Sequence, residues 1–290
     1  MNRHAVIVAY HPDEAALSVL LQTLLAAGCR VVVVDNTPGP GTRPGPLPAG
    51  CELIALGDNT GIAHAQNVGI RHARQQGADV IVFFDQDSTI DAAFVPALLA
   101  GLALGQPGVV GPVCIDAARG FEYPAYQLSR WGYPLKVFAA SRSLPYPVDL
   151  IISSGSAATS VTFDIVGLLD EDFFIDCVDL EWCLRCRARG VAIAVDPRVT
   201  LRHSIGEVSV RVGPLTTFVH SPARRYYRMR NAFLLLRKPH VPALFGIKSV
   251  VSALAHSLLQ LRLVENRREH LGVCWAGLLD GMRGVRGKRA

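Results

Sequence analysis

The chain has 290 residues and a mass of 31.3 kDa, with 50% hydrophobic and 18% charged residues. This apolar fraction excludes a disordered chain, and the length fits two domains or one α/β domain with an appendage. The net charge of +5 is unevenly divided: from Arg224 onward there are 14 Lys and Arg against 3 Asp and Glu, a balance of +11, whereas residues 1–223 carry −6. An acidic body followed by a basic tail predicts cation chemistry in the first part and an anionic surface as a partner of the second.

The sequence favours a protein of the reducing cytosol. Its seven cysteines are odd in number and scattered, which argues against a disulfide framework. The first apolar run, Ala5–Ala9, resembles a strand and lacks the features of a secretory signal. The longest uncharged run, Ala92–Ile115, contains three prolines and four glycines, so we predict a helix, a turn and a strand there instead of a membrane span.

The first half of the chain alternates apolar β-rich runs with helical periods. Continuous apolar strands separated by helices indicate a mostly parallel sheet with helices on both faces. A stretch crowded with proline and glycine, Pro38–Gly50, is predicted to be a loop. The predicted strands are Ala5–Ala9, Arg30–Asp35, Cys51–Leu56 and Asp79–Phe84, and the predicted helices are Asp13–Ala27 and Asn59–Gln76.

The second half is less regular. Its segment Asp116–Leu150 mixes aromatic residues and prolines, which fits either an insertion over a ligand cleft or a surface loop. The remaining predicted elements are helices near Ala92–Leu104 and Asp179–Arg189 and strands near Val109–Val113, Val191–Val195 and Val199–His203.

The tail has an apolar helical stripe. Leucine, isoleucine and valine recur at three- and four-residue steps from Leu244 to Leu261 and are followed by arginines. Two alternatives stay open. The stripe lies in an anionic membrane surface, or it packs against the catalytic domain or a second subunit. Aromatic residues are not interleaved with the distal charges, which argues against a nucleic-acid partner.

Asp85-Gln86-Asp87 is the most informative triplet because it follows a fully apolar strand. An extended D-x-D places both carboxylates on one side of the strand, and two hard oxygen ligands suit Mg²⁺ or Mn²⁺. The alternative is an acidic turn in which Asp87 or Ser88 caps the next helix. A Gly-rich dinucleotide motif after the first strand and a P-loop are both absent from the sequence, which argues against an NAD enzyme or a P-loop ATPase.

A second group of carboxylates, within residues 173–182, contains Asp176, Asp179 and Glu181 beside bulky apolar residues, which raise the pKa of a carboxyl toward the range of a general base. Asp176 has a structural alternative as the residue that caps the following helix, and Glu181 has one as an ion-pair partner of Arg185. Asp179 is therefore the best candidate for a base.

Three further features have weaker signals. Ser153-Ser154-Gly155-Ser156 could approach a sugar or phosphate, or be a turn before a helix. His203, at a strand end, could complete a metal shell or be structural. The pair Cys183 and Cys186 has no second pair, so two thiols in a helix are favoured over zinc.

These motifs, in this order, resemble those of a family 2 glycosyltransferase with the GT-A fold. The resemblance covers roughly residues 4–240. The particular forms V-D-N, D-Q-D-S and F-I-D-x-V-D-x-E-W, and the motif of 220–231, are similar to the bacterial rhamnosyltransferase branch of that family. The motifs are Val34-Asp35-Asn36, the N-T-G-I-A-x-A-x-N-x-G-I pattern of 59–70, Asp85-Gln86-Asp87-Ser88, the D-E-D-F-F-I-D-x-V-D-L-E-W pattern of 170–182, and the H-S-P-x-R-R-Y-Y-x-x-R-N pattern of 220–231.

The resemblance implies a site for a nucleotide-sugar, formed by the residues that match the family motifs. The base and ribose of the donor would meet His11, Asp35 and Asn36. The donor would also contact Asn59, Gly61, Ala65 and Asn67, and its phosphates would be held by Asp85 and Asp87. Of the implied metal ligands, Asp87 is the more direct, with Asp85 and His203 as additions.

For the acceptor, the resemblance implies contacts with Ser154, Gly155 and Trp182. Asp179 would deprotonate the acceptor hydroxyl, which would attack the anomeric carbon with inversion. This sequence departs from the family in two places. Asn36 stands where an acid is frequent, and Val178 stands where the family often has a glutamate, so Asp176 and Glu181 remain substitutes for the base.

The resemblance also implies a donor, a set of partners and a location. The donor would be dTDP-rhamnose or another nucleotide-sugar, and the acceptor a cell-surface polysaccharide or lipid-linked glycan, as in O-antigen assembly. The enzyme would be cytoplasmic and peripheral on the inner face of the membrane, and a homodimer stays open. The catalytic domain would be residues 1–223, with a donor half to about 113 and an acceptor half from about 114, followed by a helical basic extension at 224–290.

Two other function classes stay open. One is a catalytically silent sugar-nucleotide binding module. The other is a nucleotidyltransferase, which also uses D-x-D metal sites but usually has a basic Gly-rich loop after the first strand. The segment Tyr10–Glu14 lacks such a loop.

Overall fold

The computed structural model of the chain describes residues 1–39, 44–103, 106, 108–117, 119–140, 142–203, 209–212, 215–218, 221–261, 263–264 and 266–289. Within this part, the strands are β1 (Arg3–Ala9), β2 (Arg30–Asp35), β3 (Cys51–Ala55), β4 (Val80–Asp85), β5 (Gly108–Asp116), β6 (Glu122–Tyr123), β7 (Ala125–Leu128), β8 (Pro134–Val137), β9 (Tyr146–Val148), β10 (Ala157–Thr159), β11 (Ala192–His203), β12 (Ser209–Val212) and β13 (Leu215–Phe218). The helices are α1 (Glu14–Ala26), α2 (Ile62–Gln75), α3 (Phe94–Leu99), α4 (Ser160–Val166), α5 (Val178–Ala188), α6 (Pro222–Leu236), α7 (Ala243–Gln260) and α8 (Arg267–Arg283), and Glu171–Phe173 forms a 3₁₀ turn.

The central sheet has the strand order β3-β2-β1-β4-β10-β5-β11-β9, with β6 added beside β5. The strands β3, β2, β1 and β4 are parallel, and so are β5 and β11. The short β10 lies between these two parallel groups and is antiparallel to both neighbours. The predicted mostly parallel α/β sheet is confirmed.

The helices cover both faces of the sheet, because alternate residues of each central strand are buried in different cores. On β1, Ala5 and Ile7 pack in the core that contains the leucines of α1, whereas Val6 packs with Ile70 of α2. Helix α1 begins after Asp13, whose carboxylate accepts hydrogen bonds from the backbone N–H groups of Ala15 and Ala16. This is the N-cap arrangement that stabilises a first helical turn.

Three predicted elements differ from the observed ones. Helix α3 begins at Phe94 and ends at Leu99, shorter than predicted. The two short strands predicted near Val191–Val195 and Val199–His203 form one strand, β11. Its pairing with β5 shifts register between Asp196 and Thr200. The irregular segment 116–150 contains the hairpin β7–β8 and the edge strand β9.

The tail forms three helices that pack on one another. Helix α6 contacts both α7 and α8 in a small core that includes Met229, Ala253 and Cys274. The predicted boundary after residue 223 falls in the first turn of α6, and the division into domains stays a prediction.

The apolar stripe predicted in the tail lies on α7 and is exposed to solvent. One of the predicted alternatives, that this stripe packs against the catalytic domain, is therefore not observed. The exposed fractions are 41% for Leu244, 52% for Ile247, 58% for Val251, 38% for Leu254 and 67% for Leu258.

Helix α2 can approach the sheet closely because residue 69 is a glycine. A Cβ atom at Gly69 would lie 2.4 Å from Cγ1 of Val6, closer than van der Waals contact permits. Gly272 on α8 is a matched case in which an added Cβ meets no atom within 4 Å.

We expect Gly69→Ala to lower the free energy of unfolding by about 1–3 kcal/mol, because overpacking in a filled core exceeds the gain in helix propensity. Gly272→Ala should raise it by about 0.5–1 kcal/mol, the helix preference of alanine over glycine. Urea denaturation measures both values. Equal stability of the two variants would contradict the close packing of α2 on β1.

Candidate active site

A cavity of about 590 Å³ lies at the carboxyl end of the parallel strands. It is reached by residues that directly follow three of these strands: Tyr10 after β1, Asn36 after β2, and Gln86 and Asp87 after β4. Ligands of open α/β sheets bind at this edge, because the loops that leave the strands meet there.

Both carboxylates of the D-x-D triplet line the cavity. Asp85 is partly exposed as the last residue of β4, and Asp87 is exposed two residues later. The capping alternative for this triplet is not observed among the described residues: helix α3 begins after Ala93, whose N–H is bound by Asp91, and the hydroxyl of Ser88 lies 3.3 Å from that of Ser154.

These two carboxylates fit Mg²⁺ or Mn²⁺. Magnesium is commonly held by one or two carboxylates together with substrate phosphates and waters, without a closed protein cage. The described residues contain no group of three or more His, Cys, Asp and Glu side chains arranged as a closed metal site. The side chain of His203, the third expected ligand, lies outside the described residues, and its backbone ends β11.

Asp179 faces the same cavity from the first turn of α5. Burial raises the pKa of Asp179 to about 6, and the nearby negative charges of Asp176 and Asp85 also raise it, against a lowering hydrogen bond from the N–H of Leu180. A carboxyl with a pKa near 6 is ionised at neutral pH and is more basic than an ordinary aspartate. It is thus suited to accept a proton.

The loop that leads to Asp179 has an uncommon backbone. Phe174, Asp176 and Cys177 all have positive φ, at 63°, 62° and 64°. Helix α5 begins after Cys177 with no side-chain cap, so the expected capping role of Asp176 is not observed. Instead, Oδ1 of Asp176 accepts a hydrogen bond of 2.8 Å from Arg224.

Gly61 has two reasons to be glycine. Its φ is +87°, and a Cβ atom there would lie 2.6 Å from the carbonyl oxygen of Phe174. That carbonyl accepts a hydrogen bond of 2.8 Å from the N–H of Ile62, which joins the start of α2 to the loop before Asp179.

The expected donor residues Asn36 and Asn59 are joined in one polar network at the cavity wall. Nδ2 of Asn36 donates to Oδ1 of Asn59 at 3.2 Å, and Oδ1 of Asn36 accepts from the N–H of Thr60 at 2.8 Å. Oδ1 of Asn59 also accepts from the N–H of Gly61. The network fixes the turn between β3 and α2.

Of the expected site residues, the structure places Asn36, Asn59, Gly61, Asp85, Asp87, Ser154, Asp176, Asp179 and Trp182 on the cavity wall. The others lie away from its lining: His11 is exposed beside Tyr10, Asp35 and Ala65 are buried, Asn67 binds Leu169 and Glu171, Gly155 packs near Leu201, and Glu181 lies elsewhere.

Glu181 is 1% exposed, and two basic side chains contact its carboxylate. Arg185 binds both of its carboxylate oxygens, at 3.0 and 2.6 Å, as the i,i+4 spacing predicts, and Nε2 of His240 lies 2.8 Å from Oε1. The geometry thus favours Asp179 over Glu181 as the base.

Sequence reasoning missed several residues of the cavity wall. Gln66 donates to the hydroxyl of Ser153 at 3.0 Å, and Gln86 binds both the N–H and the carbonyl of Tyr10. Arg224 brings a positive charge to a wall that also carries four aspartates. The sequence motif that contains Arg224 was recognised. Its ion pair with Asp176 was not predicted, because the two residues are more than 40 positions apart.

The cysteine pair of α5 behaves as expected for thiols in a core. All seven cysteines are free. Burial raises the pKa of Cys183 to about 12, so this thiol is protonated at neutral pH.

Comparison with solved structures gives the fold. The chain matches GalNAc-T7, crystallised with UDP, GalNAc and Mn²⁺, with a TM-score of 0.55 and 11% identity over 92% of this chain and 58% of that one. It matches residues 1–349 of S. aureus TarS in complex with UDP-GlcNAc with a TM-score of 0.55 and 16% identity over 98% of this chain and 82% of that one. At such identity these matches establish the GT-A fold.

Comparison with known sequences gives the family. The family model "Glycosyl transferase family 2" matches residues 5–160. The dTDP-rhamnosyl transferase RfbF of Shigella flexneri is 42% identical over 289 residues, which cover 99% of this chain and 97% of that protein. With the cavity, its acidic pair and the GT-A sheet, these matches show that the chain belongs to glycosyl transferase family 2.

Proposed function

We propose that this protein transfers a rhamnosyl group from dTDP-rhamnose to a hydroxyl of a glycan or lipid-linked glycan, with inversion at the anomeric carbon. The observation that carries the reaction type is the joint placement of Asp85, Asp87 and Asp179 on one cavity wall. The full-length similarity to a dTDP-rhamnosyl transferase supports this donor.

In the proposed mechanism, Asp179 accepts the proton of the acceptor hydroxyl. The hydroxyl oxygen forms a bond to the anomeric carbon while the bond from that carbon to the diphosphate oxygen breaks, and the electron pair leaves with the diphosphate. The raised pKa of Asp179 matches the task, because the carboxylate is ionised at neutral pH but still basic.

In this proposal, Asp85 and Asp87 would hold the divalent cation next to the donor phosphates. A bound Mg²⁺ or Mn²⁺ neutralises the charge that develops on the leaving diphosphate. Arg224 offers a second positive charge on the same wall. Asn36, Asn59 and Gly61 orient the nucleoside, and Ser154 and Trp182 border the acceptor.

The enzyme works, in this proposal, on the inner face of the cell membrane. Helix α7 is the one described helix that is long and apolar enough to cross a membrane, with a mean hydropathy of 1.3, and only 22% of it is buried. However, one side of α7 packs on the rest of the chain: Phe245 belongs to the main core, Gly246 lies against Leu236, and Ala253 belongs to the tail core. We therefore propose that α7 lies in the membrane surface with its exposed stripe toward the acyl chains.

Aromatic and basic side chains near α7 fit this orientation. Trp131 and Tyr133, at the tip of the β7–β8 hairpin, are 68% and 46% exposed, and the ammonium group of Lys248 on α7 lies 5.7 Å from the Tyr133 ring. On α8, Trp275 is 62% exposed and follows Arg267 and Arg268. Tryptophan, tyrosine and arginine are preferred at the boundary between membrane and water.

Asp179→Asn should lower kcat by a factor of about 10²–10⁴, the usual contribution of a general base, while the affinity for dTDP stays within about threefold. Rhamnosyl transfer to acceptor measures the first and calorimetry the second. In the wild-type enzyme, kcat should fall as pH decreases through about 6, because the base becomes protonated. Wild-type turnover in the variant would overturn the role of Asp179. No turnover in either protein would favour a silent binding module.

Asp87→Ala should abolish Mn²⁺-dependent binding of dTDP, because the cation loses a carboxylate on the cavity wall. Calorimetric titration with dTDP, with and without Mn²⁺, measures the effect. Asp164→Ala is the matched control, since Asp164 is an exposed carboxylate outside the cavity that pairs with Arg74. Unchanged Mn²⁺-dependent affinity in Asp87→Ala would remove this residue from the metal site.

For the membrane contact, we expect the wild-type protein to sediment with vesicles that contain phosphatidylglycerol. The double variant Ile247→Asp/Val251→Asp should lower the bound fraction at least about fivefold, because two apolar side chains that enter the interface contribute about 1.5–3 kcal/mol each. Val19→Asp is the control, since Val19 on α1 is 62% exposed outside the tail.

Two results would contradict the membrane contact. One is a wild-type protein that stays in the supernatant. The other is a homodimer in analytical ultracentrifugation that the double variant dissociates, which would assign the stripe to a second subunit.

A further inference from the structure

The loop before Asp179 is held by two fully buried side chains of α6. Asn231 lies with Nδ2 2.9 Å from the carbonyl oxygen of Phe173, 2.6 Å from that of Ile175 and 2.9 Å from that of Asp176. Three carbonyl groups within four successive loop residues thus bind one amide group.

Arg230 extends the same arrangement. Its Nη2 donates to the carbonyl oxygens of Asp172 and Phe173, at 3.1 and 3.0 Å, and its Nε and Nη2 donate to Oδ1 of Asn231. The guanidinium is 0% exposed and lies 4.8 Å from the ring centre of Tyr227. The charge is therefore held by backbone dipoles and an aromatic face.

The segment 284–289, which follows α8 and is here called the return segment, completes this structure. The carbonyl oxygen of Gly287 accepts from Nη1 of Arg230 at 2.5 Å, and the N–H of Gly287 donates to the carbonyl oxygen of Asp172 at 2.8 Å. The N–H of Arg289 donates to the hydroxyl of Tyr227 at 2.8 Å. The return segment, more than 100 positions after Asp172, thus binds both the loop and the side chains of α6 that hold it.

These buried polar side chains fix a loop backbone that is unfavourable by itself. Positive φ at non-glycine residues is unfavourable and persists only where the surroundings fix it, which is frequent near active sites. Here Phe174, Asp176 and Cys177 adopt it directly before the helix that carries Asp179. Neutral apolar side chains could fill the same volume but could not bind the loop carbonyls.

We propose that Arg230, Asn231 and Gly287 are positioning residues of the transfer reaction. They hold the backbone of the loop so that the carboxylate of Asp179 points at the acceptor hydroxyl. This inference rests on the proposed function, since it assumes that Asp179 is the base. None of the three residues lines the cavity, so each acts through the loop.

The test is Gly287→Pro in the full chain. Gly287 has a φ of +70°, which proline cannot adopt, and proline also lacks the N–H that binds Asp172. We expect kcat to fall at least about tenfold, because small misplacements of a catalytic group lower rates steeply, while the KM for the donor stays within about threefold. Lys288→Ala is the control: Lys288 lies in the same segment but forms an exposed ion pair with Asp58, so its kcat should stay within about twofold of the wild-type value.

A second variant, Asn231→Ala, removes the amide without a change in backbone. It should show the same selective loss of kcat. Combined with Asp179→Asn, either variant should cause no further loss beyond that of Asp179→Asn, because residues that act as a unit have non-additive effects. A purely structural role would instead lower kcat, donor affinity and thermal stability together and would add to the effect of Asp179→Asn.

The outcomes separate this inference from the proposed function. Normal turnover in Asp179→Asn would refute the proposed base and the inference with it. An inactive Asp179→Asn with wild-type kcat in Gly287→Pro would refute only the positioning role. A parallel loss of kcat and donor affinity, or additive effects in the combined variant, would likewise assign the three residues to structure alone.

Discussion

The site depends on a buried guanidinium, that of Arg230, which binds backbone carbonyl oxygens of the loop before Asp179. Arg230 is held by the carbonyl oxygens of Asp172, Phe173 and Gly287, and Asn231 binds the carbonyls that follow. A buried charge is costly unless it is hydrogen-bonded. The loop carbonyls therefore stabilise the buried guanidinium, and the guanidinium in turn fixes the backbone of the loop. The unusual backbone before α5 and the position of Asp179 follow from this mutual dependence.

The electrostatics of the cavity fit a donor that brings its own negative charge. Four aspartates on the wall would repel a free diphosphate, and the divalent cation that we propose beside Asp85 and Asp87 would offset this repulsion. The same crowding has a benefit, because burial and neighbouring charge raise the pKa of Asp179. Negative charge that opposes binding of the bare nucleotide therefore also favours the proposed role of Asp179 as the base.

The sequence was sufficient for much of the fold and part of the site. Hydrophobic runs located β1, β2 and β4, and the position after each strand identified Asn36 and Asp87 as cavity residues. The pattern could not show that Asn67 binds Leu169 and Glu171 instead of facing the cavity, since a motif does not record the direction of a side chain. The capping role expected for Asp176 was wrong because Arg224, distant in sequence, binds it instead. Long-range pairs of this kind have no local periodicity.

The antiparallel strand β10 has a consequence for synthesis of the chain. Until Ala157–Thr159 is made, β4 presents an uncovered apolar edge, Val80–Phe84, and such edges promote association between partly folded molecules. The nascent protein therefore passes through a stage at which its first parallel strands are complete but unprotected.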